Sequence, residues 1–286
     1  MPDTFILDGQ YRLVRPVGTG ATAKVYLAED TATGAKVAVK VLRRELLADA
    51  GMKARFHREA SLLWQLEHPG IVKLHRFEDR PTEGMLLVLE WVEGTRLDVA
   101  LQQGFASSAA RVELFTALAS ALGALHRAGI AHRDVKPENV IVVGPPEAPA
   151  VKLLDFGIAR FTDPKEAALH FQTGVNEVGG TPSYVSPEQA MGQPATAASD
   201  VYSLGVVGYL IFSGKLPFTG KHFDVLSAHL NDEPPRLEPL DDALAGHPAL
   251  DVVLHCLAKK PQARPADGAA VEALLRAPKK KRWPFG

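Results

Sequence analysis

The sequence predicts an α+β chain of two lobes, a small strand-rich one with one main helix followed by a larger, mostly helical one. Three observations lead there. Up to Trp91 the apolar residues fall into short runs, broken by glycine turns and by a single helical stripe. From Ser107 onward the apolar spacing becomes that of amphipathic helices. The 286 residues are 46% hydrophobic, enough to cover a sizeable core and to exclude global disorder.

Composition narrows the function classes. A formal net charge of −1 gives no general attraction to nucleic acid, so no nucleic-acid partner is expected. Cys256 is the single cysteine, which excludes a disulfide framework or a zinc ribbon and fits a reducing compartment. Its place in the apolar run Leu250 to Leu257 suits a packed thiol. The N-terminus lacks a basic region followed by an apolar signal core, and no apolar run reaches the roughly 18 residues of a membrane span. The expected location is cytoplasmic.

Tyr11 to Val17 and Lys24 to Glu29 read as strands on either side of Gly18-Thr19-Gly20-Ala21-Thr22-Ala23. The turn is GxGxxG with Ala23 in place of its last glycine, and a plain glycine hairpin fits the same residues. Strand-turn-strand argues against a dinucleotide fold, which needs strand-turn-helix. Gly18 and Gly20 permit backbone N–H groups to approach phosphate oxygens closely, while Ala23 stiffens the distal end.

Lys36 to Leu42 alternates, with Val37, Val39 and Val41 on one face and Ala38, Lys40 and Leu42 on the other. Lys40 could simply be an edge-strand lysine reaching water. The helix expected from Met52 to Leu66 changes that reading. Its stripe is Met52, Phe56, Leu63 and Leu66, and Glu59 lies inside it. A carboxylate on a buried face costs several kcal/mol unless it is paired, and Lys40 is the obvious partner. Met85 to Trp91 forms another strand, and the lobe boundary is expected at Glu93–Gly94. The divisions are thus an N-terminal extension (1–10), the small lobe (11–93), the large lobe (94–276) and a basic tail (277–286).

In the large lobe, Ala109 to Ala128 is amphipathic, with Val112, Phe115, Leu118, Leu122 and Leu125 facing a core. Two short strands, Val140 to Val143 and Val151 to Leu154, flank a proline-rich turn. Asp200 to Phe212 is apolar almost all round, hence a buried central helix, with Asp200 as its candidate N-cap. Further helices are expected near 222–231, 248–259 and 267–276. No internal repeat is present.

The densest chemistry is His132 to Asn139, HRDVKPEN. It places a potential base (Asp134), a cation for a phosphate (Lys136) and a metal-ligand amide (Asn139) within eight residues, with Arg133 as a second cation. Another carboxylate, Asp155, follows in Asp155-Phe156-Gly157 after an apolar run. Taken in order, the glycine loop, VAVK at 37–40, the helix glutamate, HRDVKPEN and DFG resemble a protein kinase over about residues 11–276. The wording is most similar to the eukaryotic-type Ser/Thr kinases of bacteria, particularly GTPSYVSPEQ at Gly180 to Gln189.

The resemblance implies a bilobal kinase fold, ATP as phosphoryl donor and Mg2+, with Mn2+ able to substitute. Val17, Gly18, Thr19, Gly20, Ala21 and Val25 would cover the nucleotide. Val25, Ala38 and Ile141 would sandwich the adenine, Leu89 would be the gatekeeper, and the backbones of Glu90 and Val92 would meet the adenine edge. Lys40, held by Glu59, would hold the α/β-phosphates; Asn139 and Asp155 would bind the metal. Asp134 would accept the proton of the substrate hydroxyl, and Lys136 would stabilise charge on the transferring phosphoryl. Lys136 and Thr181 imply Ser or Thr acceptors on protein substrates. Glu188, in Ser-Pro-Glu where the family has Ala-Pro-Glu, would pair with Arg264; Lys260 stands where the family usually has Asp.

Arg133 implies control by activation-loop phosphorylation, and Thr162 and Thr173 are the hydroxyls between Gly157 and Thr181. Thr173 is the expected autophosphorylation site; an unmodified loop is the alternative. The tail Lys279-Lys280-Lys281-Arg282, with Trp283 and Phe285, reads as a solvated terminus or as a weak membrane contact. The resemblance also admits a homodimer through the strand-rich lobes. A pseudokinase scaffold is the alternative to an active enzyme. Every catalytic position holds the residue type the mechanism needs, which favours activity.

Overall fold

The computed structural model describes residues 4–20, 22–80, 84–104, 107–155 and 182–277. The small lobe is a six-stranded antiparallel sheet in the order β1-β2-β3-β4-β6-β5. Its strands are β1 (Thr4–Ile6), β2 (Tyr11–Thr19), β3 (Ala23–Asp30), β4 (Lys36–Leu42), β5 (Leu74–Arg80) and β6 (Gly84–Glu90). Helix α1 (Ala50–Trp64) lies against one face, capped where Asp49 accepts a hydrogen bond from Met52 N at 3.1 Å.

The alternation of β4 sorts its residues between two cores. Val37 and Val39 join a small cluster on the outer face with Ala28, Leu86 and Val88. Leu42 joins the main core with Phe56 and Leu63 of α1. Residues 4–7, read from sequence as an extension ahead of the sheet, belong to the lobe. β1 pairs with β2, and Ile6 and Leu7 complete the outer cluster.

The large lobe opens with β7 (Thr95–Arg96) and α2 (Leu97–Gln102). Helix α3 (Ser108–Arg127) follows, then β8 (Val140–Val143) and β9 (Ala150–Leu153), which form a second antiparallel sheet with β7. Beyond Pro182 come α4 (Pro187–Ala190), α5 (Ala197–Ser213), α6 (His222–Asn231), α7 (Pro248–Cys256) and α8 (Gly268–Arg276). α5 is the buried centre, as its all-round apolar surface requires.

Among the described residues only α3 has the length and apolarity of a membrane span, but Phe115, Leu118 and Leu122 are fully covered by protein. Cys256 is fully buried, and desolvation pushes its thiol up to about 12.

Two glycines set how closely α3 and α8 cross. A Cβ at Gly123 would lie 2.7 Å from Ala269 N, and one at Gly268 would lie 2.4 Å from Gly123 N and 2.5 Å from Ala119 O. Those neighbours are backbone, so they cannot turn aside. Gly268→Ala should therefore cost about 1–3 kcal/mol, as overpacking does. Thermal unfolding would show it as a lower midpoint, and an unchanged midpoint would contradict the close crossing.

Candidate active site

The loop from His132 to Asn139 is shaped by a carboxylate far from it in sequence. Asp200 Oδ2 accepts hydrogen bonds from His132 N (2.5 Å) and His126 Nε2 (3.0 Å), and Oδ1 accepts from Arg133 N (2.7 Å). Asp200 is 1% exposed, so these donors replace its hydration. This corrects its expected role as an N-cap. The cap of α5 is Thr196, whose N–H donates to Ser199 Oγ at 3.0 Å, and Asp200 lies one turn inside. The grip supports a strained backbone, for Arg133 has φ +70°. His126 Nδ1 accepts from Gly268 N at 3.0 Å, which joins α8 to the same network.

Within the loop the predicted residues converge. Asp134 Oδ2 is 2.9 Å from Lys136 Nζ and accepts from Asn139 Nδ2 at 3.0 Å. His132 is fully buried, and its Nε2 hydrogen-bonds Leu154 O at 2.9 Å, which brings Asp155 alongside. Leu154 N donates to Asn139 O at 2.8 Å, so Asn139 and Asp155 are neighbours across two chain segments.

Lys40 meets two carboxylates. Its Nζ is 2.7 Å from Glu59 Oε1 and 2.8 Å from Asp155 Oδ1. Glu59 is 2% exposed and Lys40 9%, so the pairing anticipated from the buried stripe of α1 is present. Burial alone would lower the lysine pKa. Asp155 and Glu59 overcome it and hold the ammonium above its usual range. The same ammonium holds the Asp155 carboxyl below the usual carboxylate range.

Val25, Ala38 and Leu89 share the sheet face that carries Lys40, since Val25 pairs with Lys40 and Ala38 with Leu89 across the ladders. Ile141 lies on β8 against the 91–94 linker, where a Cβ on Gly94 would be 2.6 Å from Ile141 Cγ2 and 2.3 Å from Val142 O. Glu90 N donates to Lys73 O at 2.9 Å, so of its two backbone groups only the carbonyl can serve a ligand. Its side chain also crosses the lobes, with Lys152 Nζ 2.8 Å from Glu90 Oε2. At Gly18 and Gly20 an added Cβ would meet nothing nearer than 4.0 and 3.5 Å, and neither has positive φ. The fold itself does not demand glycine there, which fits a turn left open for phosphate oxygens.

In the Ser-Pro-Glu segment, Glu188 meets Arg264 in a bidentate pair of 2.8 and 2.9 Å, with Ser199 Oγ donating to Glu188 at 2.6 Å. Lys260 stands at the N-cap of the turn Pro261–Ala263 and makes no side-chain cap hydrogen bond. Gln189 Nε2 donates to Arg133 O at 3.1 Å and ties this segment to the His132–Asn139 loop. Ala21, Thr162, Thr173, Thr181 and the tail from 278 lie outside the described residues. Sequence reasoning missed His126, Lys152 and the true role of Asp200. A carboxylate in a helix apolar all round was the available signal, by the logic already applied to Glu59.

Two lobes joined at a short linker, with a paired lysine in one and a clustered aspartate, lysine and asparagine in the other, define a protein kinase. The sequence agrees: residues 11–278 match the protein kinase domain family, and the chain belongs to it. It is 42% identical over 268 residues to the serine/threonine-protein kinase pkn2 of Myxococcus xanthus, covering 92% of this chain and 32% of that protein. It is 41% identical over 239 residues to the serine/threonine-protein kinase PknA of Mycobacterium tuberculosis, covering 82% and 54%. The chain thus spans about a third to a half of these relatives. The Mycobacterium tuberculosis PknI kinase domain, crystallised as a cysteine-to-alanine mutant, superposes with a TM-score of 0.67 at 25% identity over 95% of both chains.

Removing the Asp200 carboxylate would take the acceptor from two loop amides and from His126 Nε2. Asp200→Ala should lose about 2–5 kcal/mol of unfolding free energy, because each unpaired donor costs about 1–3 kcal/mol. Denaturant unfolding measures this, and an exposed N-cap role would predict only about 1 kcal/mol.

Proposed function

We propose that the chain is a serine/threonine protein kinase domain that transfers the γ-phosphoryl group of ATP to Ser or Thr hydroxyls of protein substrates. One observation carries the reading. Asp134, drawn together with Lys136 and Asn139, is connected through His132 and Leu154 to Asp155, which meets the paired lysine of the other lobe.

The residues divide the work by position. Lys40, kept charged by Glu59 and Asp155, would hold the α/β-phosphates. Asn139 and Asp155 would hold Mg2+, or Mn2+ in its place. With the Asn139 amide nitrogen committed to Asp134, its amide oxygen and the Asp155 carboxylate form a hard-oxygen set suited to such a cation. The metal, when bound, neutralises charge on the phosphates. Asp134 would orient the acceptor hydroxyl and take its proton as the new O–P bond forms and the bond to ADP breaks. Lys136 would stabilise charge on the moving phosphoryl group. Positioning and electrostatics supply most of the acceleration.

Lys136, together with Thr181, supports Ser or Thr over Tyr as the acceptor. Arg133 supports regulation, since a phosphate on the loop between Gly157 and Thr181 would pair with a cation adjacent to the base.

Labelled-phosphate transfer to the chain itself and to a generic basic protein tests the reading. Asp134→Asn should lower the rate about 10²–10⁴-fold; equal transfer by both proteins would point instead to a nucleotide-binding scaffold. Phosphopeptide mapping of active enzyme should find Thr173 as the main site, and a bare Thr173 would refute that assignment.

A further inference from the structure

The turn Pro182–Tyr184 and helix α4 border the loop that carries Asp134, and the kinase reading makes this segment the rest for an incoming acceptor. Gln189 Nε2 holds Arg133 O, and burial, then Glu138 and Asp98 nearby, raise the Tyr184 phenol. The segment is fixed from α5 by Ser203 Oγ, which donates to Tyr184 O at 2.6 Å. Another hold comes from α6, a helix that contributes nothing to the site described above.

His229 of α6 is fully buried. Its Nε2 lies 3.1 Å from Ser183 O and its Nδ1 2.9 Å from Tyr202 Oη. A carbonyl can only accept, so Nε2 carries the proton and donates. In the neutral ring Nδ1 must then accept, and the Tyr202 hydroxyl donates to it. Behind Tyr202, Lys259 Nζ donates to the phenol oxygen at 3.5 Å and to the carbonyls of Ala228 (3.0 Å) and His229 (2.9 Å).

Phe218 packs edge-on against the imidazole with centroids 5.0 Å apart. The donors therefore run in one direction, from Lys259 through Tyr202 and His229 to the Ser183 carbonyl. A neutral imidazole is what this order needs, and burial with Lys259 nearby pushes the ring down to about 4.

We propose that His229 is a positioning residue for phosphoryl transfer: its Nε2–H fixes the Ser183 carbonyl and thereby the turn on which the acceptor segment of a protein substrate rests. This rests on the protein kinase reading above. Its effect should fall on acceptor binding and spare ATP, whose predicted contacts lie elsewhere.

The test is steady-state kinetics of the whole chain with the best peptide from a degenerate Ser/Thr library, comparing His229→Gln, His229→Asn and His229→Phe. Glutamine places an amide donor near the Nε2 position, asparagine reaches only the Nδ1 position, and phenylalanine keeps volume without either. Losing one hydrogen bond predicts a peptide KM raised about three- to tenfold in the Asn and Phe variants. The KM for ATP should stay within about twofold, and Gln should retain most of the native peptide KM.

A shared peptide KM across Gln, Asn and Phe, or a fall in kcat that only tracks the folded fraction, would overturn the proposal. If Phe does not fold, the Asn and Gln pair decides, since both are polar and differ by one methylene. Failure of the kinase reading looks different: the native chain would then phosphorylate no library peptide.

Discussion

A single buried carboxylate, Asp200, is the constraint on which the rest of the site depends. A charge removed from water must be repaid in hydrogen bonds, and here the donors are two consecutive amides of the His132–Asn139 loop and a histidine of α3. The amides can point the same way only because Arg133 adopts a left-handed conformation that a side chain disfavours. The helix core thus holds the loop through these bonds. Because His126 also receives Gly268 N, the same carboxylate is continuous with the α3–α8 crossing.

From that fixed loop the chemistry is arranged by short links. His132 spans to Leu154 and sets the separation between the Asp134 cluster and Asp155. Asp155, also at positive φ, reaches Lys40, and Lys40 reaches Glu59. Lys40, Glu59 and His132 are buried, where hydrogen bonds are stronger and missing ones cost more. The segment 182–190 is pinned separately through Glu188 to Arg264, Ser203 to Tyr184 and His229 to Ser183.

Much of this was legible in the residues. The stripe of α1 with a carboxylate inside it foretold the Lys40 pairing, because periodicity reports burial and burial of charge demands a partner. The alternation of β4 foretold which of its side chains face which core. What was not legible had physical reasons. β5 carries His75, Arg76, Glu78, Asp79 and Arg80 around Leu74 and Phe77, so ion pairing hides the apolar signal of a strand. Asp200 has the residue type and place of a helix cap, while its partners lie 67 and 68 residues earlier and no local pattern announces them. The N-terminal residues 4–7 were too few to show a period.

The back of the molecule has a mechanical consequence. Beyond α1 the chain is fastened to the large lobe by Leu153 N to Gly70 O at 2.8 Å and Val72 N to Leu153 O at 3.1 Å. That holds the C-terminal side of a 15-residue rod, about 22 Å long at 1.5 Å per residue. Glu59 lies five residues from that end, about 8 Å along the axis. A ten-degree swing would carry its carboxylate a little over 1 Å, enough to break a 2.7 Å ion pair. The far end of α1, near Asp49, is therefore the long arm of a lever whose short arm carries the partner of Lys40.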